Sequence, residues 1–260
     1  MSKKQSKATQ QANAQRAAER AAAIRKQHEA RERRRRTLTI GGVIAAVIAA
    51  IVIIGVAVQS SRDTTGQSAT PPAGVSGSFG VPWGAAGAPV TVTVYEDFMC
   101  PFCGQFEAAS RDMLKQYVDS GDARVEYRVL AFLDRFSNGT KYSSRAMNAL
   151  GVVLDTSGPD VAKKFHDLLY ENQPEENSDG LSDDQLVELA VRAGADKSAV
   201  QGPIDSGEFD QWVQNATDDA SKEGVNSTPT VLVDGKKVET QTIEQLVADT
   251  EAAIKAGVSS

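Results

Sequence analysis

The chain has 260 residues and two cysteines, Cys100 and Cys103, separated only by Pro101 and Phe102. At this spacing both sulfurs fall within one helical turn and can bond to each other. Before them, Val90–Tyr95 alternates Val with Thr, which reads as a strand. After them, Phe102, Phe106, Ala109, Met113 and Tyr117 recur at helical spacing. Cys100 is therefore expected where a strand ends and a helix begins, with Pro101 at the first helical position, where its missing N–H costs nothing. A helix N-terminus presents unpaired N–H groups and partial positive charge, which favour a thiolate over a thiol. A lowered pKa makes a sulfur more reactive at neutral pH and a better leaving group. The expectation is that Cys100 is the exposed attacking sulfur, and that Cys103, one turn in, is buried and resolves the mixed disulfide.

Three blander readings compete. A structural staple closing so short a loop removes little chain entropy. A zinc half-site would find only His166 on the same side and would need a carboxylate to complete four ligands. Two inert core thiols so close together would oxidise outside the cytoplasm. The remaining composition rules out a disulfide-rich scaffold, and with two His in the chain it also rules out an all-Cys/His zinc site within one folded unit.

A second motif is Ser227-Thr228-Pro229-Thr230, leading into the apolar run Val231-Leu232-Val233. It reads either as an ordinary trans proline opening a strand or as a cis-proline loop exposing a backbone edge beside the sulfurs. Met99 and Phe102 flank the first sulfur and are candidates to line a peptide groove. Phe98 and Trp212 read as core, and His166 as a packing or surface residue.

The elements that position these residues read as follows. Val125, Tyr127 and Val129 form a second alternating strand. Residues 137–222 are helical, with candidate helices at Asn138–Leu154, Pro159–Tyr170, Asp183–Ala193 and Gly207–Lys222. A capping box at Ser182–Gln185 opens the third, and Gly194 stops it. Strand character returns at Thr230–Val233, and Asp234-Gly235 turns into Lys236–Val238. A second capping box, Thr242–Gln245, opens a last helix that Gly257 is expected to end. Strand, helix, strand, helical block, hairpin, helix is an α/β order with a long helical excursion between its halves.

Charge divides the chain. Residues 1–36 carry 12 Lys/Arg and three Glu, a balance of +9, whereas everything after Val58 has a balance of −15. The overall −6 argues against a nucleic-acid partner. Between the two regimes, Thr37–Val58 has no charge, and as a helix it spans roughly 33 Å, enough to cross a bilayer. The basic flank Arg31–Arg36 places the N-terminus in the cytoplasm and the rest outside. A cleaved signal peptide is the rival, but the apolar stretch exceeds the usual ~7–15 residues and no clean Ala-x-Ala site follows. The expected organisation is a basic cytoplasmic tail at 1–36, a single transmembrane anchor at 37–58, a flexible Ser/Thr/Gly/Pro-rich linker at 59–88, and an outer domain at 89–260. Residues 8–36, rich in Ala, Gln and Arg, favour a helix, either solvated or lying on an anionic lipid surface.

Glu96–Cys103 together with Gly224–Val231 and Asp234-Gly235 resembles the DsbA-like thiol:disulfide oxidoreductases, in particular the membrane-anchored forms of Gram-positive bacteria, actinobacteria included. The resemblance covers roughly residues 89–256. It implies a thioredoxin fold with an inserted helical domain, here about 137–222, preceded by one transmembrane helix. It implies donation of disulfides to exported, reduced polypeptides, with reoxidation by a quinone-linked membrane partner of the DsbB or VKOR type; attack through a mixed disulfide is expected to need no metal or organic cofactor. By the same resemblance Cys100 is the nucleophile, Cys103 the resolving thiol and Pro229 the cis proline, while Thr228 supplies backbone that pairs with a substrate strand.

Two departures stand out. Strongly oxidising members carry His where this chain has Phe102, which cannot donate to a thiolate. Related proteins also often carry a buried acid six residues before the first Cys, and that position is Val94. Glu96 and Asp97 lie nearby as candidate proton shuttles. Strand alternation puts only one of them on the buried side, and both are otherwise expected as solvated charges. A reductase or isomerase of the same fold and a tethered, non-enzymatic binding module are the alternative functions.

Overall fold

The computed structural model describes residues 68–259. The expected basic tail, the apolar segment 37–58 and the first part of the linker lie outside the described residues. Among the described residues, no helix is long and apolar enough to cross a membrane.

Five strands form one mixed sheet in the order β1-β3-β2-β4-β5. They are β1 (Val81–Trp83), β2 (Val90–Glu96), β3 (Ala123–Val129), β4 (Thr230–Val233) and β5 (Lys236–Lys237). Strands β2 and β3 run parallel, joined by the long helix α1 (Pro101–Ser120), while the other pairs are antiparallel. Period-two alternation sets the register. Val90, Val92 and Val94 of β2 point into the core beside Val125, Tyr127 and Val129 of β3 and Val231 and Val233 of β4. Five helices intervene between β3 and β4: α2 (Tyr142–Ser157), α3 (Pro159–Glu171), α4 (Asp183–Ala193), α5 (Lys197–Ser206) and α6 (Asp210–Lys222). Helix α7 (Ile243–Val258) closes the chain and packs on α1 and β4. The Ser182–Gln185 capping box forms with both of its bonds. At the second site Thr242 accepts from the Gln245 N–H at 3.2 Å. Asp234 and Gly235 both take positive φ, as the tight hairpin between β4 and β5 requires.

Several expectations fail for local physical reasons. The linker expected over 59–88 is built into the domain from its first described residues. Ala73 donates to Asp155, Ser76 bridges Gly80, and β1 pairs with β3. Phe79, Val81 and Trp83 alternate and supply an apolar edge, but Gly, Ser and Pro around them mask the signal. Helix α5 was unexpected because it contains Gly202 and Pro203. Asp196 caps its start through two backbone N–H bonds, and Gly207, read as a helix start, instead ends it in the left-handed region. Gly257 lies inside α7 rather than beyond it. A Cβ there would sit 2.8 Å from Val90, so this glycine serves the close approach of α7 to β2.

The buried stripe of α1 is also rotated from the expected one. It runs through Cys103, Phe106, Glu107, Ser110 and Leu114, while Phe102 and Ala109 face out. Two polar residues on the inner face conceal it from a hydrophobicity reading.

Candidate active site at the start of α1

Cys100 occupies the N-cap of α1 with extended backbone (φ −78°, ψ 115°), and Pro101 follows at the first helical position. A tight turn delivers it there: the Cys100 N–H donates to the Asp97 carbonyl at 2.9 Å. The Cys100 carbonyl accepts from the N–H groups of Cys103 and Gly104, at 3.0 and 3.2 Å. Gln173, in the loop after α3, pins the same turn. Its amide donates to the carbonyls of Cys100 (2.9 Å) and Phe98 (3.1 Å). Gly104 makes room, since a Cβ there would lie 2.3 Å from the Gln173 side-chain oxygen. Gln173 escaped the sequence reading because nothing near it in the chain signals a role 73 residues away.

The second motif comes to the same place. The Thr228–Pro229 peptide is cis. The Thr228 carbonyl lies 3.4 Å from the Cys100 sulfur, and the Thr230 hydroxyl holds the loop by donating to the Ser227 carbonyl at 2.8 Å. Cys100, Cys103, Thr228 and Pro229, drawn from both ends of the domain, thus converge. Both cysteines are free.

The two sulfurs meet opposite surroundings. The Cys103 thiol donates to Cys100 and pulls its pKa down. Burial works against that, and hydrogen bonds from the Thr228 side chain and the Cys103 backbone add to the lowering. Burial pushes the Cys103 thiol well above its ordinary range, and its hydrogen bond to Cys100 and the nearby Glu96 charge push it further. Cys100 is nevertheless only 5 % exposed, a correction to the expected open sulfur, because the cis-proline loop lies across it. Phe102 is half exposed at the rim, whereas Met99 is fully buried and cannot line a groove.

Glu96 and Asp97 are both buried, against the expectation of solvated charges and of at most one inside. Glu96 shares the inner face with Val92 and Val94, as alternation requires. Asp97 has left the strand, so alternation no longer governs it. It turns inward to accept from the N–H groups of Met99 and Leu133, both at 2.9 Å, and from the Ser143 hydroxyl at 2.6 Å. Burial outweighs these three bonds and raises the Asp97 pKa to about 7.

Beneath Cys103, Glu96 accepts from His166 Nε2 at 2.6 Å. His166 is fully buried rather than on the surface, wedged among Tyr127, Phe98 and Tyr170. Its burial would lower its pKa, but Glu96 and Asp167 reverse this and raise it to about 9. Glu107, one turn along α1 from Cys103, is also fully buried, which raises its pKa to about 7 despite the opposing His166 charge. Among the described residues, the cluster able to hold a metal ion is Glu96, Glu107 and His166. Neither sulfur belongs to it, so no zinc half-site is assembled on the cysteines among the described residues.

Residues 80–252 match the thioredoxin family model. The fold is similar to that of the reduced disulfide-bond oxidoreductase DsbG of Mycobacterium tuberculosis, with a TM-score of 0.58 and 30 % identity, covering 70 % of this chain and 93 % of that one. It is equally similar to oxidised DsbA of the same organism, with a TM-score of 0.57 and 31 % identity, covering 69 % and 98 % of the two chains. In sequence it is 26 % identical to disulfide bond formation protein D of Bacillus subtilis over 153 residues, covering 58 % of this chain and 66 % of that protein. It is 30 % identical over 165 residues to the serine/threonine-protein kinase PknE of M. tuberculosis. That match takes in 61 % of this chain but only 29 % of the kinase's length.

Proposed function

The chain belongs to the thioredoxin family, and from that premise we propose that it is a thiol–disulfide oxidoreductase of DsbA type that introduces disulfides into exported polypeptides. One observation carries the reading: Cys100 caps a helix with its sulfur 3.4 Å from the Thr228 carbonyl of the cis-proline loop, and the fully buried Cys103 lies one turn behind it.

In the oxidised enzyme a client thiolate attacks Cys100 Sγ. The Cys100–Cys103 bond breaks, and the electron pair leaves on Cys103, which takes up a proton. A second client thiolate then attacks the client sulfur of the mixed disulfide, and Cys100 departs as a thiolate. The client has lost two electrons and gained a disulfide, and the enzyme holds a dithiol. The lowered pKa of Cys100 suits it to leave, and the raised pKa of Cys103 keeps it protonated after reduction. Thr228 offers its backbone edge to an extended client segment, in the manner of strand addition. Phe102 supplies an apolar rim.

The anchor at 37–58 would hold this domain outside the cytoplasm, and a quinone-linked membrane protein of DsbB or VKOR type would restore the disulfide. Protease accessibility of the domain in intact cells tests the topology, since a domain protected from external protease contradicts it.

Phe102 favours a second direction of electron flow, reduction or isomerisation, because it gives the thiolate no hydrogen-bond donor. A reduction potential near ~−270 mV marks a reductase, and one near ~−120 mV marks an oxidase. The activity itself is tested with Cys103→Ala, which should accumulate client mixed disulfides that vanish in Cys100→Ala. Their absence would leave only the tethered binding module.

A further inference from the structure

We propose that Glu96, Glu107 and His166 form a buried site for one divalent transition cation of the zinc class, held between the sheet, α1 and α3. One donor atom from each residue lies within 4.8 Å of the others, and all three residues are fully buried. Both Glu107 oxygens and Glu96 Oε2 have no hydrogen-bond partner. Leaving a buried carboxylate unpartnered is costly, so folding favours a group that satisfies these oxygens. Three donor atoms thus face one another, and Glu107 has a second unpartnered oxygen to offer.

The surroundings have the form of a metal site's outer shell. A ligating imidazole commonly donates its second ring N–H to a carboxylate, which fixes the ring. Here Nε2 faces Glu96, and Nδ1 lies 3.4 Å from Asp167 Oδ1. Asp167 is in turn held by Lys163 Nζ at 2.5 Å, with Arg111 Nε 3.6 Å away. Tyr127, Phe98 and Tyr170 pack around the ring and keep the pocket apolar.

Charge fits as well. Two carboxylates and a neutral imidazole balance a divalent ion, which takes the place of the proton between His166 and Glu96. One nitrogen and few oxygens suit zinc-class ions. Calcium wants 6–8 oxygens, and magnesium keeps several waters. The ion would brace the floor beneath Cys103 and take no part in the exchange of electrons.

The test uses the full-length chain carrying Cys100→Ser and Cys103→Ser, because free thiols would bind zinc themselves. Exchange is already silenced in that chain, so this proposal and the oxidoreductase reading can fail separately. After chelator treatment, zinc loading and desalting, elemental analysis should find about one zinc per chain. Asp167→Asn should weaken retention about 10–100-fold, and Glu107→Gln should weaken it at least as much. If Glu107→Gln does not fold, cobalt binding to the parent chain decides, with visible bands of low-coordinate cobalt in a nitrogen–oxygen site expected. No retained zinc, zinc retention indifferent to both substitutions, or only the spectrum of hydrated cobalt would overturn the proposal.

Discussion

The mouth and the floor of the active site are one helical turn apart and treat the same chemical group in opposite ways. At the mouth, Cys100 receives hydrogen bonds from Cys103 and Thr228 at a helix N-terminus, and its thiol is made more acidic. At the floor, Cys103 is fully buried near the Glu96 charge, and its thiol is made less acidic. Spacing alone cannot produce that contrast. The mouth is finished by a loop 128 residues further along the chain, and the floor by His166 from the inserted helices. What distinguishes the two sulfurs is therefore tertiary, although the motif that carries them is local.

The sharpest break of this contrast is removal of either sulfur. Cys100→Ala should abolish exchange, by at least about a thousandfold in single-turnover client oxidation, because the sulfur that carries the mixed disulfide is lost. In Cys103→Ala the Cys100 thiolate should still attack small disulfides, expel one half as a thiolate and retain the other as an adduct, visible as a mass increase under non-reducing conditions.

Next in size is a dependence on pH set by Asp97, in the turn that delivers Cys100. Folded Asp97 holds its proton up to about pH 7, against 3.8 for an ordinary aspartate. Between those values the native state binds more protons than the unfolded one, so stability declines as pH rises. Its stabilising share is present below about pH 4 and lost as pH passes through 7, an effect on the order of a few kcal/mol. Asp97→Asn should flatten that part of the curve of denaturant midpoint against pH. A variant with the same slope as wild type would show that Asp97 is not the group responsible.

Adding a donor at the mouth should sharpen the contrast. Phe102 is half exposed, so Phe102→His can turn toward the Cys100 thiolate without disturbing the core. A bond worth about 1.4 kcal/mol corresponds to roughly 30 mV, and equilibration with glutathione should show the potential becoming more oxidising by about that amount. The smallest effect is expected from Thr228→Val, which removes one of the bonds acidifying Cys100. Alkylation of Cys100 at neutral pH should slow about threefold, corresponding to a bond of about 0.7 kcal/mol, with Cys103 unaffected.

How much of this was legible in the sequence follows the same division. The mouth announces itself locally. Cys100-Pro101-Phe102-Cys103 after an alternating strand, and Ser227-Thr228-Pro229-Thr230 before another, need no knowledge of distant contacts to be singled out. The core strands β2, β3 and β4 and the Ser182 cap were readable for the same reason, since each rests on period-two patterning or on a four-residue signal. The floor was illegible. Glu107 and His166 are polar, and a polar side chain on a helix reads as solvated unless its partner is known. The partner, Glu96, lies 70 residues from His166. Asp97 escaped because alternation stops where the strand does. Strand β1 escaped because three apolar residues among Gly, Ser and Pro resemble a linker until β3 is placed beside them.

The most direct test of the account is to titrate the two thiols of the reduced chain separately, following thiolate absorbance and alkylation rate against pH. Cys100 should ionise below the ordinary cysteine value of about 8.5, while Cys103 should remain protonated well above it. If Cys100 ionised at or above that value, or if the two sulfurs titrated alike, the division of labour between mouth and floor would be wrong.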